Sequence, residues 1–180
     1  MLTAARIIAR EELALSPWVR LVTKEVEFAP GEEPRIYHCL AQPDYITILA
    51  RTRSGLIPLV RQFRPAVEEY TWELPAGLLE DGEDPEEACR RELKEETGLD
   101  AISVTKLGSF WSDTGRHENR LHAYFIEASD PDPSFVPETG MEVRFVGHGE
   151  LWQEVQEGRF NHQLHLGLLA LAQRMRIVLD

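Results

Sequence analysis

Gly77 to Leu99 reads GLLEDGEDPEEACRRELKEETGL, and the reading of this stretch decides the rest. Its boundaries are chemically marked. Asp84 suits an N-cap, Pro85 the first helical position and Glu87 the third residue of a capping box. Gly98 suits the left-handed residue that closes a helix. The spacing therefore predicts a helix from Pro85 to Thr97. At about 100° per residue, Glu92, Glu95 and Glu96 fall within one arc of about 100°. Ala88 shares that arc and Cys89 borders it, so the acids lie toward the inner side. Arg90, Arg91 and Lys94 lie on the far side, where only Arg91 reaches the trio, at Glu95, through the i,i+4 relation.

Like charges at these spacings repel by roughly 0.2–0.5 kcal/mol per pair, and by more when half-buried. A solvated acidic face is the plain reading of such a cluster. The small and apolar residues in the same arc favour another. A hard divalent cation takes carboxylate oxygens and leaves positions for water and phosphate, so the helix reads as a metal platform.

The remaining sequence bounds what such a platform serves. With 180 residues, 43% apolar and 28% charged, the chain fits one folded domain with a small appendage. Its net charge of −12 argues against a nucleic-acid polymer as partner, since that affinity comes from Lys and Arg. Cys39 and Cys89 have no metal-type spacing and read as free thiols in a reducing compartment, the cytoplasm. Arg6, Arg10, Glu11 and Glu12 interrupt any signal-like core near the N-terminus. No run reaches the roughly 18 apolar residues of a membrane span.

Alternation predicts a hairpin from Trp18–Phe28 and Arg35–Ala41, then two apolar strands within Tyr45–Phe63 around Ser54–Gly55. Thr71–Leu74 reads as a short strand. Strand-like runs also cover Ala101–Trp111, Asn119–Ala128 and Met141–Val146. Two helical patterns follow, the last presenting Leu164, Leu168, Leu171 and Met175 as core. Hairpins and interspersed helices indicate an α/β domain with a mixed sheet.

Gly77, Glu83 and the run Arg91-Glu92-Leu93-Lys94-Glu95-Glu96-Thr97-Gly98-Leu99 hold every fixed position of the Nudix box, and the chain resembles the Nudix hydrolases. The resemblance implies an α/β/α sandwich over residues 44–180, preceded by an N-terminal hairpin arm over residues 1–43. It implies hydrolysis of a nucleoside diphosphate linked to another group, with Mg²⁺ or Mn²⁺. Carried onto this chain, it makes Glu92, Glu95 and Glu96 metal ligands, joined by the Ala76 carbonyl. Glu83 and Arg91 hold the loop–helix–loop in shape, and Gly77 fits a tight backbone turn beside the metal.

The segment LVRQFRPAVEEYTWELPAG is similar to the branch that hydrolyses ADP-ribose and related nucleotide sugars. By that likeness Arg64 contacts phosphate, Glu73 is an acid on the substrate side, and Arg61 is a weaker candidate. The alternative for both arginines is a surface charge lying over the sheet. The arm resembles one that packs across a homodimer and lends residues to the partner's site. Trp18 stacks on a nucleobase in that reading, or is an ordinary core tryptophan. Two positions depart from the branch. Gly115 stands where a proline is usual, and Arg116, His117 and Arg120 in its place point to a GDP- or UDP-linked hexose, with His117 alternatively a solvated loop histidine. Met141 falls where a general base is usual, leaving Glu142 and Glu138 as neighbours, Glu95 or Glu96 within the box, or metal-activated water alone.

The leading expectation is thus metal-dependent cleavage of the pyrophosphate of ADP-ribose or a related nucleotide sugar, giving a nucleoside monophosphate and a sugar phosphate. Dinucleoside polyphosphates or RNA 5′ ends are alternative substrates. A nucleotide-sugar sensor without turnover is the alternative of another class, although a full ligand set argues against it.

Overall fold

The computed structural model describes residues 5–177. The chain forms two compact units, one running up to Asp44 and taking in Trp111–Arg120, the other comprising Tyr45–Phe110 and the chain from Leu121 onward.

In the first unit β1 (Arg6–Ala14), β2 (Arg20–Glu27) and β3 (Arg35–Ala41) form an antiparallel sheet in that order. The β2–β3 hairpin follows the alternation of its residues. β1 is an addition to the sequence reading, and the reason is physical: every residue of it is exposed, so no buried face imposes a period of two on its sequence. The Trp111–Arg120 loop joins at Leu40, whose N–H donates to the Arg116 carbonyl at 2.8 Å and whose carbonyl accepts from the Glu118 N–H at 3.0 Å. Arg10 then grips Glu118 through two bonds of 2.8 Å, and Lys24 pairs with the same carboxylate.

The second unit contains, in chain order, β4 (Tyr45–Thr52), β5 (Ile57–Arg64), β6 (Glu69–Glu73), β7 (Ala76–Leu78), α1 (Pro85–Thr97), β8 (Ala101–Trp111), β9 (Arg120–Ala128), β10 (Glu142–Val146), α2 (His148–Gln156) and α3 (Gln163–Arg174). One sheet runs β7-β4-β9-β8, with β4 parallel to β9 and antiparallel to β7. A second, β10-β5-β6, is antiparallel.

Strand β4 shows why the fold is layered. It is buried nearly throughout, and its side chains alternate between two cores. Ile46, Ile48 and Ala50 cluster with Ala88, Cys89 and Leu93 of α1. Leu49 clusters with Leu151 of α2, with Phe160, and with Leu168 and Leu169 of α3. Helices therefore cover both faces of a mixed sheet, the α/β/α sandwich. The stripe on α3 differs from the expected one. His165, Leu168, Leu169 and Ala172 are its buried residues, whereas Met175 closes the helix and is 46% exposed.

Helix α1 begins and ends where its sequence says. The Asp84 carboxylate accepts from the N–H groups of Glu86 and Glu87 at 2.9 and 3.3 Å. Gly98 closes it at φ +74°, and its N–H donates to the Lys94 carbonyl at 2.9 Å. A side chain at Gly98 would also strike Phe135, whose Cγ would lie 2.5 Å from the added carbon.

Candidate functional site

The inner arc of α1 presents three acids in three different states. Glu95 is exposed and pairs with Arg91 at 3.1 Å. Glu92 is 15% exposed and lies 2.8 Å from the same Arg91 nitrogen. Burial raises its pKa, the Arg91 hydrogen bond and charge partly offset that, and Glu95 and Glu83 add to the rise. Glu96 has no ion pair among the described residues. Burial pushes its carboxyl up to about 8, although the Ala76 N–H donates to Oε2 at 2.9 Å; Glu92 and Glu73 repel its charge and Arg64 attracts it. Arg91 thus reaches two of the three acids, one more than the helical spacing indicates.

Arg91 also makes a two-toothed pair with Glu83, at 2.9 and 3.1 Å. Glu83 in turn accepts from the Glu80 N–H at 3.0 Å. The loop before α1 is thereby tied to the face that carries the acids. Gly77 lies within β7 opposite Ile46, not in a tight turn, and the need for glycine is spatial. A Cβ there would sit 2.0 Å from Glu92 Oε1.

The short segment from Glu73 to Gly77 passes these acids, and each residue is anchored. Ala76, expected to offer its carbonyl, gives its N–H to Glu96. The Pro75 carbonyl accepts from the Ile48 N–H at 2.9 Å. The Leu74 N–H donates to His165 Nδ1 at 3.1 Å. Glu73 is 2% exposed and receives the Arg64 guanidinium through bonds of 2.8 and 2.7 Å, with the Thr71 hydroxyl at 2.6 Å. Burial alone would raise the Glu73 pKa. The Arg64 and Thr71 bonds overcome it and hold the carboxyl at about 2.

Arg64 and Glu73, read separately as substrate contacts, are therefore partners of each other. The Arg64 side chain stays 40% exposed while its guanidinium is anchored on Glu73. Arg61 pairs with Glu142 at 2.9 Å across the β5–β10 register and lies over the rings of Tyr70 and Trp72, at 5.0 and 6.0 Å. Glu142 opens β10, while Glu138 is exposed in the turn before it, its carbonyl accepting from the Met141 N–H. Trp18, Arg116 and His117 belong to the first unit. Trp18 is 63% exposed, which excludes the core-tryptophan reading. Arg116 and His117 line a pocket of that unit with His38, Cys39 and Asp113.

Two site-adjacent residues escaped the sequence reading, Thr71 and His165. His162 and His165 stack with ring centroids 4.0 Å apart. Their i,i+3 spacing in NHQLH was the available signal; their closeness to Glu73 depends on a contact across 91 residues.

The acids of α1 offer oxygen donors only; Glu92 and Glu96 are half sunk while Glu95 is exposed, and a glycine leaves Glu92 the space that a Cβ would fill. That chemistry suits a hard divalent cation. Burial disfavours the ionised form of Glu96, and a cation offsets that cost.

Residues 40–165 match the NUDIX domain family, and the chain belongs to it. Over 122 residues it is 34% identical to an ADP-ribose pyrophosphatase of Bacillus subtilis (strain 168), covering 68% of this chain and 65% of that one. Over 92 residues it is 54% identical to an ADP-sugar pyrophosphatase of Mus musculus, covering 51% and 42% respectively. The matched stretch thus spans less than two thirds of these relatives' own length. A crystal structure of an ADP compounds hydrolase superposes with a TM-score of 0.80 at 21% identity, covering 97% of this chain and 95% of the other, a likeness of fold. Among the described residues no helix is long and apolar enough to cross a membrane.

Proposed function

We propose that the protein is a pyrophosphohydrolase dependent on Mg²⁺ or Mn²⁺, cleaving ADP-ribose or a related nucleotide sugar to a nucleoside monophosphate and a sugar phosphate. The observation that carries this reading is the approach of Glu92 and Glu96 to a strand whose glycine leaves them room. The names of the relatives supply the substrate class.

Glu92, Glu96 and the more exposed Glu95 would hold the cation, with the Ala76 carbonyl as a further donor. When bound, it supplies charge to the diphosphate oxygens and acidifies water. Arg64 keeps part of its guanidinium free beyond Glu73 and provides the positive charge for a phosphate beside the acids. Water adds to one phosphorus, the anhydride P–O bond breaks, and both products leave as monophosphates. The proton of the attacking water passes to a carboxylate, either Glu138 in the turn before β10 or Glu142 at the start of β10, the latter after parting from Arg61.

The exposed Leu13 and Ile36 lie on one face of the first unit's sheet, and we assign that face to contact with a second copy of the chain in a homodimer. The two free thiols fit a cytoplasmic enzyme. The test is a panel of ADP-ribose, GDP-mannose, UDP-glucose, a diadenosine polyphosphate and a 5′-triphosphate RNA, each with Mg²⁺ and with chelator, products resolved by mass. Magnesium-dependent release of a sugar phosphate and a nucleoside monophosphate is expected. Turnover that chelator leaves intact, or none on any nucleotide sugar, overturns the reading. Sedimentation before and after Ile36→Glu tests the dimer.

A further inference from the structure

The segment that faces the acids is anchored at successive residues to three different elements. Its outermost anchor is the least expected. Glu73 is the last residue of β6 to pair with β5, opposite Val60. The Leu74 N–H has left that ladder, and a buried N–H needs another acceptor. His165, 1% exposed in the first turn of α3, supplies the acceptor through Nδ1.

That bond fixes the tautomer. An Nδ1 that accepts carries no hydrogen, so the neutral ring holds its proton on Nε2. Burial, reinforced by the neighbouring His162, lowers the His165 pKa to about 3 and keeps the ring neutral. The same bond answers a second question. Ligand atoms of Glu73, His162 and His165 lie within 4.8 Å of one another, close enough for a transition metal. A metal on Nε2 would drive the proton to Nδ1, where it would meet the Leu74 N–H head on. Both oxygens of Glu73 are already held by Arg64. The cluster is therefore built for a fixed hydrogen bond.

We infer that His165, acting through Nδ1, is a positioning residue that sets the path of Glu73–Gly77 past Glu92 and Glu96. The inference rests on the proposed hydrolase reading for its consequence in catalysis. The hydrogen bond sits two residues before Ala76, whose N–H meets Glu96, and three before Gly77, whose missing Cβ admits Glu92. Releasing Leu74 frees this segment on the side opposite to α1, with no ligand removed.

Asparagine and glutamine distinguish this role from simple packing. The side-chain oxygen of Asn lies near the place of Nδ1, whereas the amide of Gln reaches toward that of Nε2. With Mg²⁺ and whichever nucleotide sugar the wild type hydrolyses, His165→Asn is expected to keep kcat within about threefold, while His165→Gln loses about tenfold or more with little change in KM. Leu74 amide exchange is expected to stay slow in the first variant and to quicken in the second. Mn²⁺ affinity follows the same order. Equal loss in both variants, or a better Gln than Asn variant, overturns the inference. In the wild type, ¹⁵N spectra of His165 are expected to show Nδ1 bare and Nε2 protonated; the reverse tautomer overturns the inference even where neither variant folds. Should the wild type hydrolyse no nucleotide sugar, the proposed function fails by itself, and the exchange and Mn²⁺ readings decide the role of His165.

Discussion

Gly77 and Glu92 compete for one space: a β-carbon on Gly77 would lie 2.0 Å from Glu92 Oε1 and 2.1 Å from its Cδ. The obstructing atoms are the end of a flexible side chain, so Gly77→Ala displaces the carboxylate while the strand stays in place. We expect the variant to fold and to lose kcat by about 10²-fold, the scale of an ångström-sized misplacement in a site. Circular dichroism and Mn²⁺ titration separate the two effects. An active variant would mean that the position of Glu92 is immaterial.

Glu96 is a half-buried acid with no cation of its own among the described residues. Glu96→Gln keeps the acceptor for the Ala76 N–H and removes the charge. Turnover should drop by about 10³-fold, the upper scale for one electrostatic contact. Without metal the variant should melt no lower than the wild type, and Mg²⁺ should raise its melting temperature less. Calorimetry with and without Mg²⁺ measures both.

The sign of the pH effect follows from the same group. The Glu96 carboxyl titrates near 8 in the folded chain against 4.5 ordinarily, so the fold favours its protonated form. Its ionisation therefore costs stability as pH rises through that window in metal-free protein. A divalent cation must displace the proton, and apparent Mg²⁺ affinity should fall by up to about tenfold per pH unit below about 8. Mn²⁺ titrations between about pH 6 and 8 check this. An affinity flat over that range contradicts it.

Arg64 and Glu73 act in the opposite sense. The Glu73 carboxyl is held at about 2, so its contribution is fully present above the ordinary carboxylate pKa and is lost as pH falls toward 2. Arg64→Ala leaves a buried, unpaired acid. Removing one partner of a buried pair costs up to 3–5 kcal/mol, and the 40% exposure of Arg64 reduces that to roughly 2 kcal/mol. The double change Arg64→Ala with Glu73→Ala should cost less than the sum of the single ones. Urea unfolding of the cycle gives the answer.

Much of this arrangement is legible in the residues. Asp84, Pro85 and Gly98 fix α1, and the helical period puts Glu92, Glu95 and Glu96 on one arc. The apolar run in β4 marks a strand buried on both faces. What the sequence withholds is register and distance. Arg64 meets Glu73 because β5 and β6 pair with Gln62 opposite Thr71, which places Arg64, Thr71 and Glu73 on one face of the hairpin. His165 reaches Leu74 only after α3 packs beneath the sheet. β1 left no imprint because neither of its faces is buried, and the value of Gly77 lies in Glu92, not in its own dihedrals.

The most direct test of the account is anomalous diffraction from crystals soaked in Mn²⁺ with a non-hydrolysable ADP-ribose analogue. Manganese is expected between Glu92 and Glu96, within coordinating distance of the Ala76 carbonyl and of a diphosphate oxygen. Manganese found only elsewhere, or a diphosphate bound away from these acids, would contradict it.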